Sequence, residues 1–437
     1  MIILITLLIV ILLLLVGGIH IGAALGLSAA FLLLVFESMP ISTIAQNAFV
    51  SVNSYPLAAI PFFILTGDIA LEGKLADRLL DFVGLFLRKI QAGLAMAVVA
   101  STVFFAAVSG SSVASAAALG RSVIELLKDE DYPQRFIAGL VAAGSTMGLL
   151  IPPSLTFIII GSMYGIPIIK LFTAGIIPGL SEAMLTMGLC YFLCKKNGWG
   201  KPENAKNYLA LKNRYEKIGN SFFPLLKSSA GVLFLPFLIL GGIYLGFFTP
   251  TEVAAVAAGY AALLALLIHR SMKIRGLITV LGRTLKQSAM IYFVIIGGNM
   301  IGFMLVSLGI TDILTEAVIS AGISKYQFLL IINIILLIMG CFLDGISVVV
   351  LTVPILFPIA ESLGINPIHF AVIITCNVEV ATLTPPVGLN IYVMSGVTGL
   401  SIDKVVRGVG PFYVLQVFLL FLITYVPTFS LFLVDIL

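Results

Sequence analysis

The chain has 437 residues, 60% hydrophobic and only 10% charged, with a formal net charge of +4. Apolar runs such as Ile2–Val16, Ala230–Leu245 and Phe328–Met339 exclude a soluble domain and specify a polytopic all-α membrane protein. The basic residues lie between these runs instead of forming a patch, so the charge gives no indication of nucleic acid.

In chain order, the initial Met leads straight into the first apolar run, without a basic n-region or a small-residue cleavage site. Residues 1–16 are therefore expected to be a retained span, with a cleaved signal peptide as the competing reading. Further spans are expected near 19–36 and 52–71. The run at about 92–119 carries the polar tip Ser109-Gly110-Ser111-Ser112 near its middle. It is too short to cross twice at about 20 residues per crossing, and reads as a re-entrant hairpin. Next comes 136–166, interrupted by Gly148-Leu149-Leu150-Ile151-Pro152-Pro153-Ser154. A Pro pair removes two backbone donors and clashes with the preceding turn, so this segment is a broken helix. A span near 172–193 completes a first repeat, 1–194. The polar stretch 195–227 is a linker too short to bury a core, with Trp199 at the interface and Ala205–Ile218 as a surface helix.

Residues 228–437 repeat the order. Spans near 229–247, 252–269 and 287–306 precede a hairpin at about 326–359, whose tip is Asp344-Gly345-Ile346-Ser347. A broken helix, 367–400, follows with Ala381-Thr382-Leu383-Thr384-Pro385-Pro386-Val387-Gly388, and then a span near 409–430. The tips are offset by 235 residues and the Pro pairs by 233. In hydrocarbon, unwound backbone survives only where protein buries it or where it lines a watery cavity, so paired breaks point to a transport site. The competing reading makes each hairpin one long span with a polar kink.

Charge sets the orientation. If 72–89, 121–135, 195–227, 270–286 and 404–407 face the cytoplasm, 22 of the 24 Lys and Arg lie inside, and only Lys170 and Lys325 lie outside. The first hairpin then enters from the cytoplasm and the second from outside. An odd number of crossings per half inverts the second repeat, giving about ten spans plus two hairpins.

Hairpin tips and breaks place helix ends at mid-membrane, where amides suit anions and freed carbonyls suit cations. The candidate cation ligands are Ser109, Ser111, Gly148 and Ile151 in the first half, and Asp344, Gly345, Ser347, Thr382 and Thr384 in the second. Neutral oxygens with at most one carboxylate suit Na⁺ better than Ca²⁺, which implies two or more Na⁺ sites. Candidate substrate-binding residues are Ser112, Ser145, Thr146, Pro153, Asn377, Pro386, Gly388 and Asn390. Ser115 and the run Ala114–Ala118 read as close-packing surface. Asp68, Glu182 and Glu379 are intramembrane acids; Glu379 also has a structural reading, and Asp68 and Glu182 also read as interface or subunit contacts. No Lys or Arg falls inside an expected span core, so a carboxylate substrate would depend on dipoles, hydroxyls and the bound cations themselves. Four separated Cys and three scattered His give no basis for a transition-metal or redox site, or for an embedded enzyme. Gly73-Lys74-Leu75 and Gly200-Lys201-Pro202 fail the P-loop pattern, so neither ATP nor another cofactor is expected.

Ser109-Gly110-Ser111-Ser112, Leu150-Ile151-Pro152-Pro153-Ser154, Phe342-Leu343-Asp344-Gly345 and Leu383-Thr384-Pro385-Pro386-Val387-Gly388-Leu389-Asn390 together resemble a known family. The chain is similar, over essentially its whole length, to the large membrane subunit (DctM/SiaM-like) of tripartite ATP-independent periplasmic (TRAP) transporters. The resemblance implies an elevator carrier in the lipid bilayer of a bacterial inner membrane, taking up organic acids such as C4-dicarboxylates or sialic acid with Na⁺. It also implies a small membrane subunit of about four helices and a periplasmic substrate-binding protein. Because the chain starts directly with its first span, that small subunit is expected to be separate. A stand-alone divalent-anion/Na⁺ symporter, working without a binding protein, is the alternative.

Overall fold

The computed structural model describes residues 2–87, 90–127, 131–201 and 222–436. Among the described residues there are twenty α-helices, with short 3-10 and π turns, and no strand. Six helical segments are long and apolar enough to cross a membrane: Tyr55–Glu72, Ile168–Asn197, Pro250–Ile268, Ile274–Ser307, Gly345–Ser362 and Ile402–Tyr425. Helix starts are set by local chemistry. Thr249 with Glu252, and Ser324 with Gln327, form capping boxes, and Asn366 accepts from two amides of the turn it opens.

Two helical pairs carry the polar tips. Gly93–Ser109 and Ser112–Leu127 pack on each other and are joined at Gly110, whose φ of 61° falls where an L side chain is strained. Lys325–Gly340 and Gly345–Ser362 form the second pair. The second arms run on to Leu127 and Ser362, past the expected ends at 119 and 359, because no Pro or Gly pair stops them. Two helices are broken as the Pro pairs require. Gln134–Thr146 tightens into a 3-10 turn, unwinds at 150–154 and resumes as Leu155–Tyr164. Pro367–Ala381 unwinds at 382–388 and resumes as Leu389–Thr398. Both Pro–Pro peptide bonds are cis.

The distal halves of the broken helices are exchanged. Leu155–Tyr164, from the first, packs on Gly345–Ser362 of the second hairpin, and Leu389–Thr398, from the second, packs on Ser112–Leu127 of the first. Hairpins and breaks thus interlock. A second set of helices is tied together beside them: Ile21–Phe36 and Ala59–Glu72 both pack on Ile274–Ser307, which itself packs on Gly345–Ser362, while Ala59–Glu72 packs on Gly93–Ser109. Tyr292 donates to the Leu57 carbonyl at 3.0 Å, Thr251 to Tyr55 at 3.0 Å, and Ser271 to Gly73 at 2.6 Å.

Two expectations are corrected. The span near 287–306 is the end of a 34-residue helix, Ile274–Ser307, uninterrupted by Pro. The part of that helix before residue 287 holds Arg275, Arg283 and Lys286. Segments read as loops, within 37–51, 72–89 and 307–326, contain the helices Ile41–Val50, Leu75–Leu87 and Ile310–Ser320. In Leu75–Leu87 the buried residues Leu75, Ala76, Leu79 and Leu80 recur at helical spacing against the polar Asp77, Arg78 and Asp81. Trp199, expected at the interface, packs on Phe136 with ring centroids 5.3 Å apart. The expected surface helix Ala205–Ile218 lies outside the described residues.

Candidate functional site

Both tips meet on one cleft of about 410 Å³. The first tip contributes Ser109, Gly110, Ser111 and Ser112; the second contributes Asp344, Gly345 and Ile346. Leu149, Leu155 and Thr156 reach it from around the first break, and Val378, Thr382 and Leu389 from around the second. The opposite wall belongs to the other set of helices: Gly67 and Asp68 from Ala59–Glu72, and Gln287, Met290 and Ile291 from Ile274–Ser307. Residues 287, 290 and 291 follow the i, i+3, i+4 spacing of one helix face.

The first tip is neutral and closed on itself. Ser109 Oγ and Ser115 Oγ are 2.7 Å apart, and Ser115 donates to the Ser111 carbonyl at 2.8 Å. Ser115, read as a packing residue, therefore braces the tip from behind. The second tip is charged and self-capped. Asp344 Oδ2 accepts from the amides of Ile346 at 3.1 Å and Ser347 at 3.2 Å, and Oδ1 accepts from the Ser347 hydroxyl. A carboxylate at a helix N-terminus is favoured by the unpaired amides and the helix dipole.

The sequence-derived residues separate by position. Ser109, Ser111, Ser112, Asp344, Gly345 and Thr382 line the cleft, and Ser347 holds Asp344 from below. Gly148 works by close approach: a Cβ there would lie 2.4 Å from Ala106 Cβ, so the glycine seats the first break against the first hairpin. Ile151 and Pro153 are buried around that break, where Ser154 donates to the Leu149 carbonyl at 2.5 Å. Ser145, Thr146, Asn377 and Asn390 are fully buried in side-chain networks away from the cleft lining. Asn390 Nδ2 reaches Ser145 Oγ at 3.3 Å, Gln416 Nε2 reaches Thr146 Oγ1 at 2.9 Å, and Asn377 Nδ2 donates to Asn333 Oδ1 at 2.7 Å. Thr384 donates to the Val380 carbonyl at 2.9 Å, Pro386 is exposed, and Gly388, with φ 47°, caps the resumed helix.

Two cleft features escape a residue-by-residue sequence reading. Asp68 is 7% exposed, accepts from Thr284 Oγ1 at 2.8 Å and lies 3.5 Å from Arg283 Nε. The partners are more than 200 residues apart, which only the packing of Ala59–Glu72 on Ile274–Ser307 brings together. No Lys or Arg lines the cleft, while Asp68 and Asp344 both do.

The whole arrangement is one that recurs. Residues 8–429 match the model of a family described as the tripartite ATP-independent periplasmic transporter, DctM component. The chain is similar to the C4-dicarboxylate TRAP transporter large permease protein DctM of Pseudomonas aeruginosa, at 37% identity over 93% of each chain. It is similar to the sialic acid TRAP transporter large permease protein SiaM of Vibrio cholerae, at 31% identity over 95% of each. The isethionate TRAP transporter permease protein DctMQ of Oleidesulfovibrio alaskensis is 34% identical over 96% of this chain and 64% of its own length. In fold, the chain is similar to the Alcanivorax borkumensis YdaH transporter, with a TM-score of 0.58 at 13% identity, covering 89% of this chain and 88% of that one.

Proposed function

We infer the function from one premise: the chain belongs to the DctM component family of TRAP transporters. It is a multi-pass inner-membrane permease subunit that works with a small membrane subunit and a periplasmic binding protein in organic-acid transport. The finer reading is Na⁺-coupled uptake of a carboxylate handed over by the binding protein, with an elevator stroke carrying the site across. The related permeases are named for C4-dicarboxylates, sialic acid and isethionate, which supports an organic acid as the substrate class.

The observation that carries Na⁺ coupling is the sign of the cleft. An anion entering a space lined by Asp344, and by an Asp68 already paired with Arg283, meets net negative charge that bound cations would offset. Ser109, Ser111, Asp344, Gly345 and Thr382 are the oxygen-bearing groups placed to hold Na⁺ there, with Ser112 and the tip amides left for substrate. The elevator reading is supported by the exchanged helix halves, which bind both hairpins into one unit, while the facing wall of the cleft belongs to the other. The two units derive from the inverted repeats 1–194 and 228–437, joined by the cytoplasmic linker 195–227. A small subunit of about four helices would broaden the static unit within the bilayer. The family match favours this scheme over the stand-alone symporter.

Reconstitution tests it. The complete three-component system in proteoliposomes should accumulate the organic acid steeply with Na⁺ and hardly at all with K⁺. Equal uptake with K⁺ would sink the Na⁺ assignment, and strong uptake by this chain alone would restore the stand-alone symporter.

A further inference from the structure

A buried acid pair lies apart from the cleft. Glu182 is the fifteenth residue of the 30-residue helix Ile168–Asn197 and is 2% exposed; Glu379, one turn before the second break, is 0% exposed. The helices that carry them pack on each other, and the two carboxyl groups lie close enough to interact. Gln416, midway along Ile402–Tyr425 and 2% exposed, donates Nε2–H to Glu182 Oε1 at 2.7 Å and to Thr146 Oγ1 at 2.9 Å. Donors then run out. Glu379 Oε1 and Oε2 and Gln416 Oε1 have no hydrogen-bond partner among the described residues. Thr146 lies beside Glu379, but its hydroxyl is directed to the Ala143 carbonyl at 2.7 Å.

Among the described residues, no fixed positive charge stands near. On the four contributing helices, Arg135, Lys170, Lys195, Lys196, Lys404 and Arg407 are nine or more residues from Thr146, Glu182 or Gln416, about 13 Å or more along the axis. His369 is ten residues from Glu379, about 15 Å, and Asp403 stands at its helix start. Cys376 is one turn from Glu379 and, as a thiol, adds no cation, and the Tyr413 hydroxyl is 3.3 Å from Thr384 Oγ1. From helices packed against these four, Tyr164, Lys325, Glu361 and Asp435 lie at helix ends, and Arg121, on Ser112–Leu127, is exposed.

An ionised carboxyl without donors is among the costliest groups to bury, and two in contact repel each other as well. Adjacent carboxyls resolve both problems by holding a proton in common. A proton on Glu379 turns it from an orphaned acceptor into a donor toward Glu182, and leaves one negative charge for the Gln416 amide to stabilise. We propose that Glu182 and Glu379 form a proton-binding site in the membrane interior, one proton shared between the two carboxyl groups, separate from the cations at the hairpin tips. The site joins elements of both broken helices, so the proton travels with whatever unit they form. It stands independently of Na⁺ coupling at the cleft.

Infrared difference spectra of the full complex in nanodiscs, wild type against the E182Q/E379Q double variant, read the proton directly. At neutral pH the wild type should show the C=O stretch of a protonated carboxylic acid, in Na⁺ and in K⁺ alike, and the double variant should lose it. A difference spectrum containing only carboxylate bands overturns the proposal, as does a C=O band that vanishes when Na⁺ replaces K⁺, which would mark a metal site. If the double variant fails to fold, the wild type alone decides. Its buried C=O band should shift in D₂O and convert to carboxylate bands at alkaline pH, and absence of such a band overturns the assignment.

Discussion

The two halves use the same parts in different electrical and solvent settings. In the first, Pro152 and Pro153 are buried and the tip is a closed cluster of serine hydroxyls. In the second, Pro385 and Pro386 are exposed and the tip carries the carboxylate of Asp344. A neutral tip draws a cation only through oriented dipoles, which fall off quickly with distance; a carboxylate adds a net charge that acts over a longer range. Similar backbone plans thus carry unequal charge, and on the proposed Na⁺ coupling the second half would lead in cation capture while the first provides tight packing.

The largest expected effect falls on that asymmetry. Asp344→Asn keeps the helix cap, since Asn caps as well as Asp, but deletes the only formal charge on either tip. Losing a charged ligand is worth about 1.5–3 kcal/mol, so the Na⁺ concentration for half-maximal uptake should rise about 10- to 100-fold, with thermal stability of the complex unchanged. An unaltered Na⁺ curve would make the two tips equivalent. Next comes the neutral tip's packing. A Cβ at Gly67 would stand 2.6 Å from Ser109 Cβ, and overpacking of this kind costs about 1–3 kcal/mol. Gly67→Val should therefore cut uptake about 10-fold or more; full activity would show that this contact opens freely.

Smaller effects rank the individual hydroxyls. Ser109→Ala removes the bond to Ser115, about 1 kcal/mol, and should weaken apparent Na⁺ affinity about 5-fold. Ser111→Ala also removes a cleft oxygen and belongs in the same range. Thr384→Ala, whose hydroxyl is spent on Val380 away from the cleft lining, should stay within about 2-fold. Dose–response curves in proteoliposomes compare all three, and a Thr384 effect equal to that of Ser111 would return Thr384 to the ligand set.

How far the sequence reached follows from the range of the interactions involved. Breaks at Pro152-Pro153 and Pro385-Pro386 were legible because proline acts on its own turn. Gly110 and Asp344 were legible as tip residues for the same local reason. Glu182 and Glu379 were visible singly as membrane acids, but the bond from Gln416 to Glu182 spans 234 residues and appears only after packing. Asp68 with Thr284 is a similar case, 216 residues apart. Thr384 stands beside a break, with its hydroxyl donating to the preceding turn and outside the cleft lining. The helix Leu75–Leu87 was within reach of periodicity and was hidden by its charges, which read as a cytoplasmic loop.

The exchange of distal helix halves bears on how the protein is made. During synthesis, Leu155–Tyr164 emerges almost 200 residues before Gly345–Ser362, the surface that receives it. Ser112–Leu127 likewise waits for Leu389–Thr398, which arrives near the end of the chain. Such distant pairings are the slow ones to form. The first half therefore enters the bilayer with two unfilled seats and reaches its mature arrangement only once translation is nearly done. Residues 1–201 expressed alone should be degraded quickly, and co-expression with residues 222–437 as a second polypeptide should rescue them.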